Sequence, residues 1–297
     1  MNRDPFYTYH PILNIVFFIV VITTTVFLLN PFILVLSYAA AFVYSVRLKG
    51  RKALKFNLVY MIPLMLFAAA INVLFVHEGA TILGYFSNGN PITLESLVYG
   101  IFSALMIGSV IIWFSCYNEV ISSDKVIYLF GRILPKTSLI FSMILRLVPM
   151  YKAQIKIISN AQRGIGRDFR TGNIFERARN GLKILSIMLT WALENGVETS
   201  DSMKARGYGL KGRTSFSIFR FDSRDRVLAS SLVVLIAVFI YGLGIGRFYF
   251  RIYPTVKWAG FTIYSIPFYL SIAIIFFLPI IIGIMEDLKW KHLKLTV

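Results

Sequence analysis

The sequence predicts an all-α integral membrane protein with about six transmembrane helices and further amphipathic helices on the cytoplasmic side. Hydrophobic residues make up 57% of the 297 residues, and the mean hydropathy is +0.70, which is typical of membrane proteins. Several uncharged runs are about 20 residues long, which is the length of helix that crosses a hydrocarbon core. Because the strict alternation of a membrane β-barrel is missing, the spans are predicted to be helical.

The N-terminal region, residues 1–118, is predicted to hold about four spans. Residues 11–46 carry no charge, and this run is too long for one crossing of about 20 residues. Asn30-Pro31 lies near its middle and favours a tight turn between two spans. The run has no A-x-A-like cleavage site after a short apolar core, so it is expected to be retained as an anchor. The predicted spans cover residues 12–29, 32–46, 56–76 and 96–118.

The C-terminal region, residues 227–297, is predicted to add about two spans, at 227–246 and 258–285. The distribution of cations indicates the orientation. Residues 47–55 carry five Lys or Arg and no acid, whereas residues 79–95 carry no Lys or Arg. Because short cytoplasmic loops are enriched in cations, the first of these loops and both chain termini are expected in the cytoplasm.

Between these regions lies a stretch of different composition, residues 119–226, which is expected in the cytoplasm. Nineteen of the 31 Lys and Arg residues and eight of the 14 acids lie between Asp124 and Arg226. Its apolar runs, 137–145 and 184–193, are predicted to be amphipathic helices, because ten helical residues cover only about 15 Å. The mixed charge without interleaved aromatic residues argues against nucleic-acid binding, whereas it suits contact with anionic lipid headgroups.

Two short motifs in this region join an arginine to a glycine at a predicted helix end. Apolar residues recur at helical spacing over 150–162 and 185–204, and the motifs follow directly. Arginine suits the negative end of a helix dipole, and glycine suits the left-handed residue that terminates a helix. The first Arg-Gly motif is Ala161, Gln162, Arg163 and Gly164, and the second is Ala205, Arg206 and Gly207.

Each Arg-Gly motif alone is explained as an ordinary helix ending. Two of them on one side of a membrane also suit the docking of a two-part soluble partner. A guanidinium is always charged and can bind a carboxylate or carbonyl cluster through several donors. Small neighbouring residues would let such a helix end enter a groove of the partner.

Charged residues and a proline are candidates for supporting these helices. Glu194, Glu198 and Asp201 are predicted to share one face of the second helix with Ala205. They form either a solvated face with local pairing to Lys204 or an anchor for Arg146, Arg167 or Arg170. An unpaired Arg146 would be costly among its apolar neighbours. The candidate supporting residues are Arg146, Pro149, Glu194, Glu198 and Asp201.

A membrane-embedded enzyme and a stand-alone secondary transporter are the alternative functions. No Gly-x-x-x-x-Gly-Lys-Ser/Thr loop occurs, so the chain is not expected to hydrolyse ATP itself. The three histidines form no metal-binding pair, no Gly-x-Ser-x-Gly turn occurs, and the single cysteine excludes an intrachain disulfide. No metal or cofactor is expected. The spans carry almost no ionisable residue to bind a coupling ion.

Four segments, 145–149, 161–164, 194–209 and 213–216, together resemble the cytoplasmic signature of the T component of energy-coupling factor (ECF) transporters, the EcfT/CbiQ family. The resemblance covers about residues 125–222, and the spans match the family in pattern only. The first motif carries Gln162 before its arginine, where the plain family form has alanine.

The resemblance implies a non-catalytic energy-coupling subunit in the plasma membrane of a prokaryote. In that family the arginine motifs tip coupling helices that dock on two ABC-type ATPase subunits. A separate membrane S component binds the solute, a vitamin, a metal ion or a similar micronutrient. The expected partners are therefore two ATPases, an S component and the lipid bilayer, with no nucleic acid. The glycine-containing link 165–183 is expected to let the separation of the two helices change.

Overall fold

The computed structural model of the protein describes residues 4–85, 89–210, 219–258, 260 and 262–295. The chain divides into a larger unit, Met1–Val126 with Phe219–Val297, and a smaller unit, Ile127–Ile218. In chain order the α-helices are α1 (Pro11–Phe27), α2 (Pro31–Lys49), α3 (Arg51–Phe56), α4 (Ile62–Phe75), α5 (Leu94–Val120), α6 (Ser123–Ile133), α7 (Pro135–Gly164), α8 (Ile174–Ala205), α9 (Ser223–Gly244) and α10 (Ile266–Leu295).

Short elements complete the larger unit. A 3-10 helix, Pro5–Thr8, precedes α1, and a second one, Ile263–Ser265, leads into α10. One π-helical turn, Asn57–Met61, joins α3 and α4 into a continuous helix. Two antiparallel hairpins connect helices, and their strands are β1 (Ile82–Tyr85), β2 (Pro91–Thr93), β3 (Phe250–Arg251) and β4 (Lys257–Trp258).

The described helices confirm the all-α membrane class. Five are long and apolar enough to cross a membrane: Pro31–Lys49, Arg51–Phe75, Leu94–Val120, Ser223–Gly244 and Ile263–Leu293. The remaining predicted span corresponds to α1, a shorter apolar helix of 17 residues. It ends before the predicted position 29 because the backbone becomes extended at Leu28, ahead of the turn into α2.

The turn between α1 and α2 is built on Asn30-Pro31, as the sequence predicts. The Asn30 side chain accepts a hydrogen bond from the Phe32 N–H at 3.1 Å and donates to the Tyr269 hydroxyl at 3.1 Å. Pro31 occupies the first turn of α2, where its missing N–H costs nothing. Asn30 therefore caps α2 and ties this turn to α10.

The core of the larger unit is aromatic and contains a small hydrogen-bonded network. Phe17 and Phe18 meet the fully buried Trp113 with ring centroids 5.9 and 6.3 Å apart. The Trp113 indole donates to Ser37 Oγ at 3.0 Å, and Thr25 Oγ1 lies 2.7 Å from the same oxygen. Because hydrocarbon offers no other partner to these groups, the network holds α1, α2 and α5 together.

Helix α4 packs against α5 and exposes most of its surface. Gly100 on α5 lets the backbones approach, since a Cβ there would lie 2.9 Å from the Ala69 carbonyl oxygen. None of the described residues of α4 is buried, and Leu66 and Phe67 are about two-thirds exposed, at 67% and 64%. An apolar face of α4 is thus exposed in the folded chain.

The smaller unit contains α7 and α8, which form an antiparallel hairpin. Both helices are longer than predicted. Pro135 stands in the first turn of α7, where proline is favoured, and the helix continues through Pro149 instead of beginning after it. Helix α8 begins at Ile174, so the link is 165–173, and the predicted link of 165–183 is too long. Segment 213–216 of the predicted signature lies outside the described residues.

Candidate functional site

The first Arg-Gly motif forms the last turn of α7. Gly166, two residues beyond the motif, adopts the left-handed conformation with φ of 80°. Its N–H donates to the Arg163 carbonyl at 3.0 Å, and the Arg167 N–H donates to the Gln162 carbonyl at 2.9 Å. This pair of bonds is a Schellman ending. The prediction that Gly164 terminates the helix is therefore wrong, because a second glycine two residues later takes the left-handed position.

The second Arg-Gly motif ends α8 with the same pair of bonds. Gly207 has φ of 80°, its N–H donates to the Lys204 carbonyl at 2.9 Å, and the Tyr208 N–H donates to the Met203 carbonyl at 3.0 Å. Gly207 is thus the terminating residue, as the sequence predicts. Arg206 is the capping residue directly before it.

The two arginines occupy different positions on otherwise similar helix ends. When the left-handed glycines are matched, Arg206 corresponds to Ile165, and Arg163 corresponds to Lys204. Two residues amount to roughly half a turn of a helix. The two guanidinium groups therefore leave their helix ends in different directions.

The electrostatic surroundings of the two arginines also differ. Arg163 Nε lies 3.5 Å from Asp168 Oδ2, and the Arg163 side chain is 69% exposed. In the part of the chain that the structure describes, no carboxylate lies within ion-pair distance of Arg206, and Asp201 pairs with Lys204 instead, at 3.7 Å. Arg206 therefore presents its charge to solvent, whereas Arg163 is already partly neutralised.

A small apolar cluster holds α7 against α8 near the link. Ile158 packs with Ile184 and Met188, and the rings of Tyr151 and Trp191 meet edge to face with centroids 5.7 Å apart. These pairs give the antiparallel register of the hairpin.

The register sets the distance between the two motifs. With Ile158 level with Ile184, Arg163 lies about level with Arg179 on α8. Arg206 is then about 27 helical residues farther along, which corresponds to about 40 Å at 1.5 Å per residue. The two Arg-Gly motifs therefore lie at opposite ends of one hairpin.

The link between the helices is tied to the start of α8. Asn180 Nδ2 donates to the Asp168 carbonyl at 3.1 Å, and Arg177 Nε donates to the Phe169 carbonyl at 3.2 Å. Asn173 caps the helix, and Glu176 Oε2 accepts from the Asn173 N–H at 3.3 Å, which forms a capping box. The first Arg-Gly motif thus sits on a hydrogen-bonded base.

Away from the link, α7 and α8 enclose an open cleft of about 1220 Å³. Methionines line it from both helices, together with polar groups and the second motif. Unbranched, polarisable methionine side chains adapt to irregular surfaces. Lining residues include Met143, Arg146, Met150, Glu198, Met203 and Arg206.

The candidate supporting residues are only partly brought together. Arg146 and Glu198 line the same cleft. No ion pair between these two residues is found in the part of the chain that the structure describes. The local interpretation holds for Asp201, which pairs with Lys204. Pro149 and Glu194 are exposed. The predicted anchoring of the acids by Arg146, Arg167 or Arg170 is not observed among the described ion pairs.

Sequence reasoning missed Asp168, Asn173 and Gly166. Asn173 with Glu176 has the spacing of a capping box, which the sequence alone could have indicated. Asp168 carries no such signal, because its contact with Arg163 depends on the conformation of the link. Among the described residues, no group of three or more His, Cys, Asp or Glu could hold a metal ion.

Comparison with known proteins gives consistent matches. The model of the CbiQ family, described as cobalt transport protein, matches residues 8–218. The chain is 30% identical over 190 residues to the energy-coupling factor transporter transmembrane protein EcfT 1 of Listeria monocytogenes, covering 60% of this chain and 70% of that protein. It is 27% identical over 238 residues to the protein EcfT of Brevibacillus brevis, covering 74% of this chain and 88% of that protein.

A third relative matches over a shorter stretch. The energy-coupling factor transporter transmembrane protein EcfT of Lacticaseibacillus paracasei is 36% identical over 99 residues, which is 33% of this chain and 38% of that protein.

Proposed function

Since the chain belongs to the EcfT/CbiQ family of transmembrane components of energy-coupling factor transporters, we propose that it couples ATP hydrolysis by two partner ATPases to solute uptake. The chain itself is non-catalytic in this proposal. A separate S component binds the solute, which is a vitamin, a metal ion or a similar micronutrient. The observation that carries the proposal is the pair of exposed arginines at opposite ends of the α7–α8 hairpin.

The two helix ends suit insertion into grooves of soluble partners. Each ends in a Schellman turn on a glycine, so no side chain projects from the terminating residue. The arginine beside it supplies a planar group that binds carboxylates and carbonyls through several donors. Ala161 and Ala205 add little bulk on the approach to each tip.

The hairpin suits the transmission of force between the two docking ends. Near the first motif, the link and the Ile158 cluster hold α7 and α8 together. Near the second motif, the helices are separated by the open cleft. Relative movement of the two ends is therefore expected at the cleft, which Arg146 and Glu198 both line, rather than at the link.

Exposed apolar surfaces suit a membrane partner. Helix α7 exposes five apolar side chains at helical spacing, and α8 exposes a second stripe. Such contiguous patches mark interaction surfaces. We assign them, with the bare face of α4, to the S component and the bilayer. The two stripes are Ile140, Phe141, Ile144, Leu145 and Val148 on α7, and Leu182, Leu185, Leu189, Leu193 and Val197 on α8.

Copurification tests the proposal. The affinity-tagged chain, coexpressed with candidate ABC-type ATPases and an S component, is expected to retain two ATPase subunits. Truncation of one partner of a buried charge pair costs on the order of 2–5 kcal/mol, so Arg163→Ala and Arg206→Ala should each weaken retention, and the double variant should lose it.

The matched control is Lys152→Ala, which removes an exposed cation of α7 about three helical turns before the first motif. It should retain the ATPases as the wild type does. Full ATPase retention and solute uptake by the Arg163→Ala/Arg206→Ala variant would contradict the docking role.

A further inference from the structure

The N-terminal residues 4–10 contact both places where the chain passes between the larger and the smaller unit. The chain leaves the larger unit after Val126 and re-enters it at Phe219. Lys125 stands directly before the first connection, and Phe221 and Asp225 stand directly after the second. Residues 4–10 contact Lys125, Phe221 and Asp225. We call residues 4–10 the N-terminal clasp.

Lys125 fixes the clasp to the outgoing connection. It is 1% exposed, and its ammonium donates to the Tyr7 carbonyl at 2.6 Å and to the Val120 carbonyl at 3.2 Å. The same nitrogen lies 3.9 Å from the centre of the Tyr7 ring. With the Asn14 amide oriented to face it, the Asn14 oxygen accepts a third bond at 2.8 Å.

A fully buried lysine needs an explanation, because removing an ammonium group from water is costly unless it is well bonded. An apolar side chain would anchor the start of α6 without that cost. Unlike an apolar side chain, the ammonium group has three N–H donors, and each of them needs an acceptor oxygen at a defined position. Lys125 therefore ties the first turn of α6 to the N-terminal residues by specific hydrogen bonds.

Asp225 fixes the clasp to the returning connection. Its Oδ1 accepts from the His10 N–H at 3.1 Å, and its Oδ2 accepts from the Asp222 N–H at 3.0 Å. The His10 ring packs against the Phe221 ring at 5.1 Å. One carboxylate thus joins the clasp to the first residues of the chain after the smaller unit.

The clasp itself is anchored in the core of the larger unit. Phe6 is fully buried and packs against Phe17 with ring centroids 5.1 Å apart. The Tyr44 hydroxyl donates to Asp4 Oδ2 at 2.7 Å, which attaches the clasp to α2. The clasp is therefore part of the packed core of the larger unit.

We propose that the N-terminal clasp holds both connections of the smaller unit in a fixed position, so that Lys125 and Asp225 are positioning residues for energy coupling. The inference rests on the proposed function, since it concerns how force at the helix ends reaches the spans. Force applied to the smaller unit moves the spans only if the two connections, after Val126 and at Phe219, do not move independently of the spans. In this proposal the clasp supplies that resistance.

The test uses Lys125→Met, which keeps an unbranched side chain without the charge, and Asp225→Ala, in the full complex. Two quantities are measured: solute uptake per ATP hydrolysed, and hydrogen exchange of the backbone amides of residues 7–10. Loss of charge-assisted hydrogen bonds is expected to raise amide exchange by about tenfold or more. Uptake per ATP is expected to fall severalfold, while ATPase copurification stays at the wild-type level.

The control is Leu232→Ala, which opens the buried core of α9 about two helical turns beyond Asp225 and removes none of the hydrogen bonds of the clasp. It should lower the unfolding temperature but leave uptake per ATP unchanged, which separates positioning from general loss of stability. Wild-type uptake per ATP in both clasp variants, with faster amide exchange, would overturn the proposed role. Unchanged exchange would overturn the clasp itself. If the wild-type chain retains no ATPase, the proposed function fails, and the exchange data still decide whether the clasp exists.

Discussion

At the scale of single residues, the two motif arginines share a chemical type but have different surroundings. Arg163 faces Asp168, a carboxylate only 15% exposed that belongs to the link. Arg206 faces solvent and lines the cleft. The same substitution is therefore expected to have different side effects at the two positions.

Charge reversal at the two arginines tests this difference. Arg163→Glu brings a second carboxylate to Asp168, so it is expected to destabilise the link as well as the docking end. Arg206→Glu meets no described carboxylate and is expected to reduce docking alone. Exposed ion pairs contribute about 0–1 kcal/mol, so the unfolding temperature should fall slightly for Arg163→Glu only. Both variants should insert into membranes, bind the S component and lose ATP-driven uptake. An equal fall in the two unfolding temperatures would contradict the assigned difference.

Lys125 predicts an alkaline pH dependence of stability. Burial lowers the pKa of Lys125 from 10.5 to about 8, against the smaller opposing effect of the Asp4 carboxylate. The folded chain therefore loses this proton at lower pH than the unfolded chain does. The unfolded state binds more protons across this interval, so stability rises with pH through it.

The size of this effect follows from the pKa difference. Each pKa unit corresponds to about 1.4 kcal/mol, so the contribution is at most about 3.5 kcal/mol. Thermal unfolding of the wild type and of Lys125→Met, measured from pH 7 to pH 10, checks it. The stability of the wild type should rise relative to the variant as the pH increases, and a constant difference would contradict the assigned pKa.

At the scale of helices, the sequence predicted where apolar segments lie better than where helices begin and end. Hydrophobic runs mark the spans because the hydrocarbon core demands them. The sequence prediction starts α8 too late, since half of residues 174–183 are polar or charged and the uncharged run begins only at Ile184. The end of α7 was misplaced because two glycines lie close together, and only backbone geometry decides which one takes the left-handed conformation.

A pair of glycine substitutions tests the end of α7. Gly164 is helical and Gly166 has φ of 80°, and an added Cβ would meet no atom within 4 Å at either position. Alanine at 164 should stabilise the smaller unit by roughly 0.5–1 kcal/mol. Alanine at 166 should destabilise it by roughly 1–2 kcal/mol, because the left-handed conformation is strained. Thermal unfolding distinguishes them, and the opposite order would restore Gly164 as the terminating residue.

At the scale of the whole molecule, composition predicted a membrane part and a charged part, but not the contacts that join distant residues. Lys125 and Tyr7 are separated by 118 positions, and no local pattern connects them. His10 and Asp225 are likewise far apart in sequence. The N-terminal clasp therefore emerges only from the folded chain, whereas the resemblance over about 125–222 already indicated the docking motifs.

Cysteine labelling tests the membrane topology. Cys116 is buried, at 1% exposed. It should therefore react little with a thiol reagent, so that labelling reports on the single introduced cysteine. Asn90 and Thr171 are both exposed. An impermeant thiol reagent applied to intact cells should label Asn90→Cys and not Thr171→Cys. Permeabilised cells, in which both should react, supply the control. Labelling of Thr171→Cys from outside would contradict the cytoplasmic assignment and the docking proposal with it.

The antiparallel arrangement of α7 and α8 has a consequence for the symmetry of the assembly. Two antiparallel helices that both end in an Arg-Gly motif have directions related by a two-fold axis perpendicular to their length. In the proposed function, a dimer of ATPases would offer two grooves related in the same way, so the two axes could coincide. The offset between Arg163 and Arg206 breaks this relation at the tips. We therefore expect the two grooves to receive their arginines in different orientations, which a pair of non-identical ATPase chains would satisfy better than two copies of one chain.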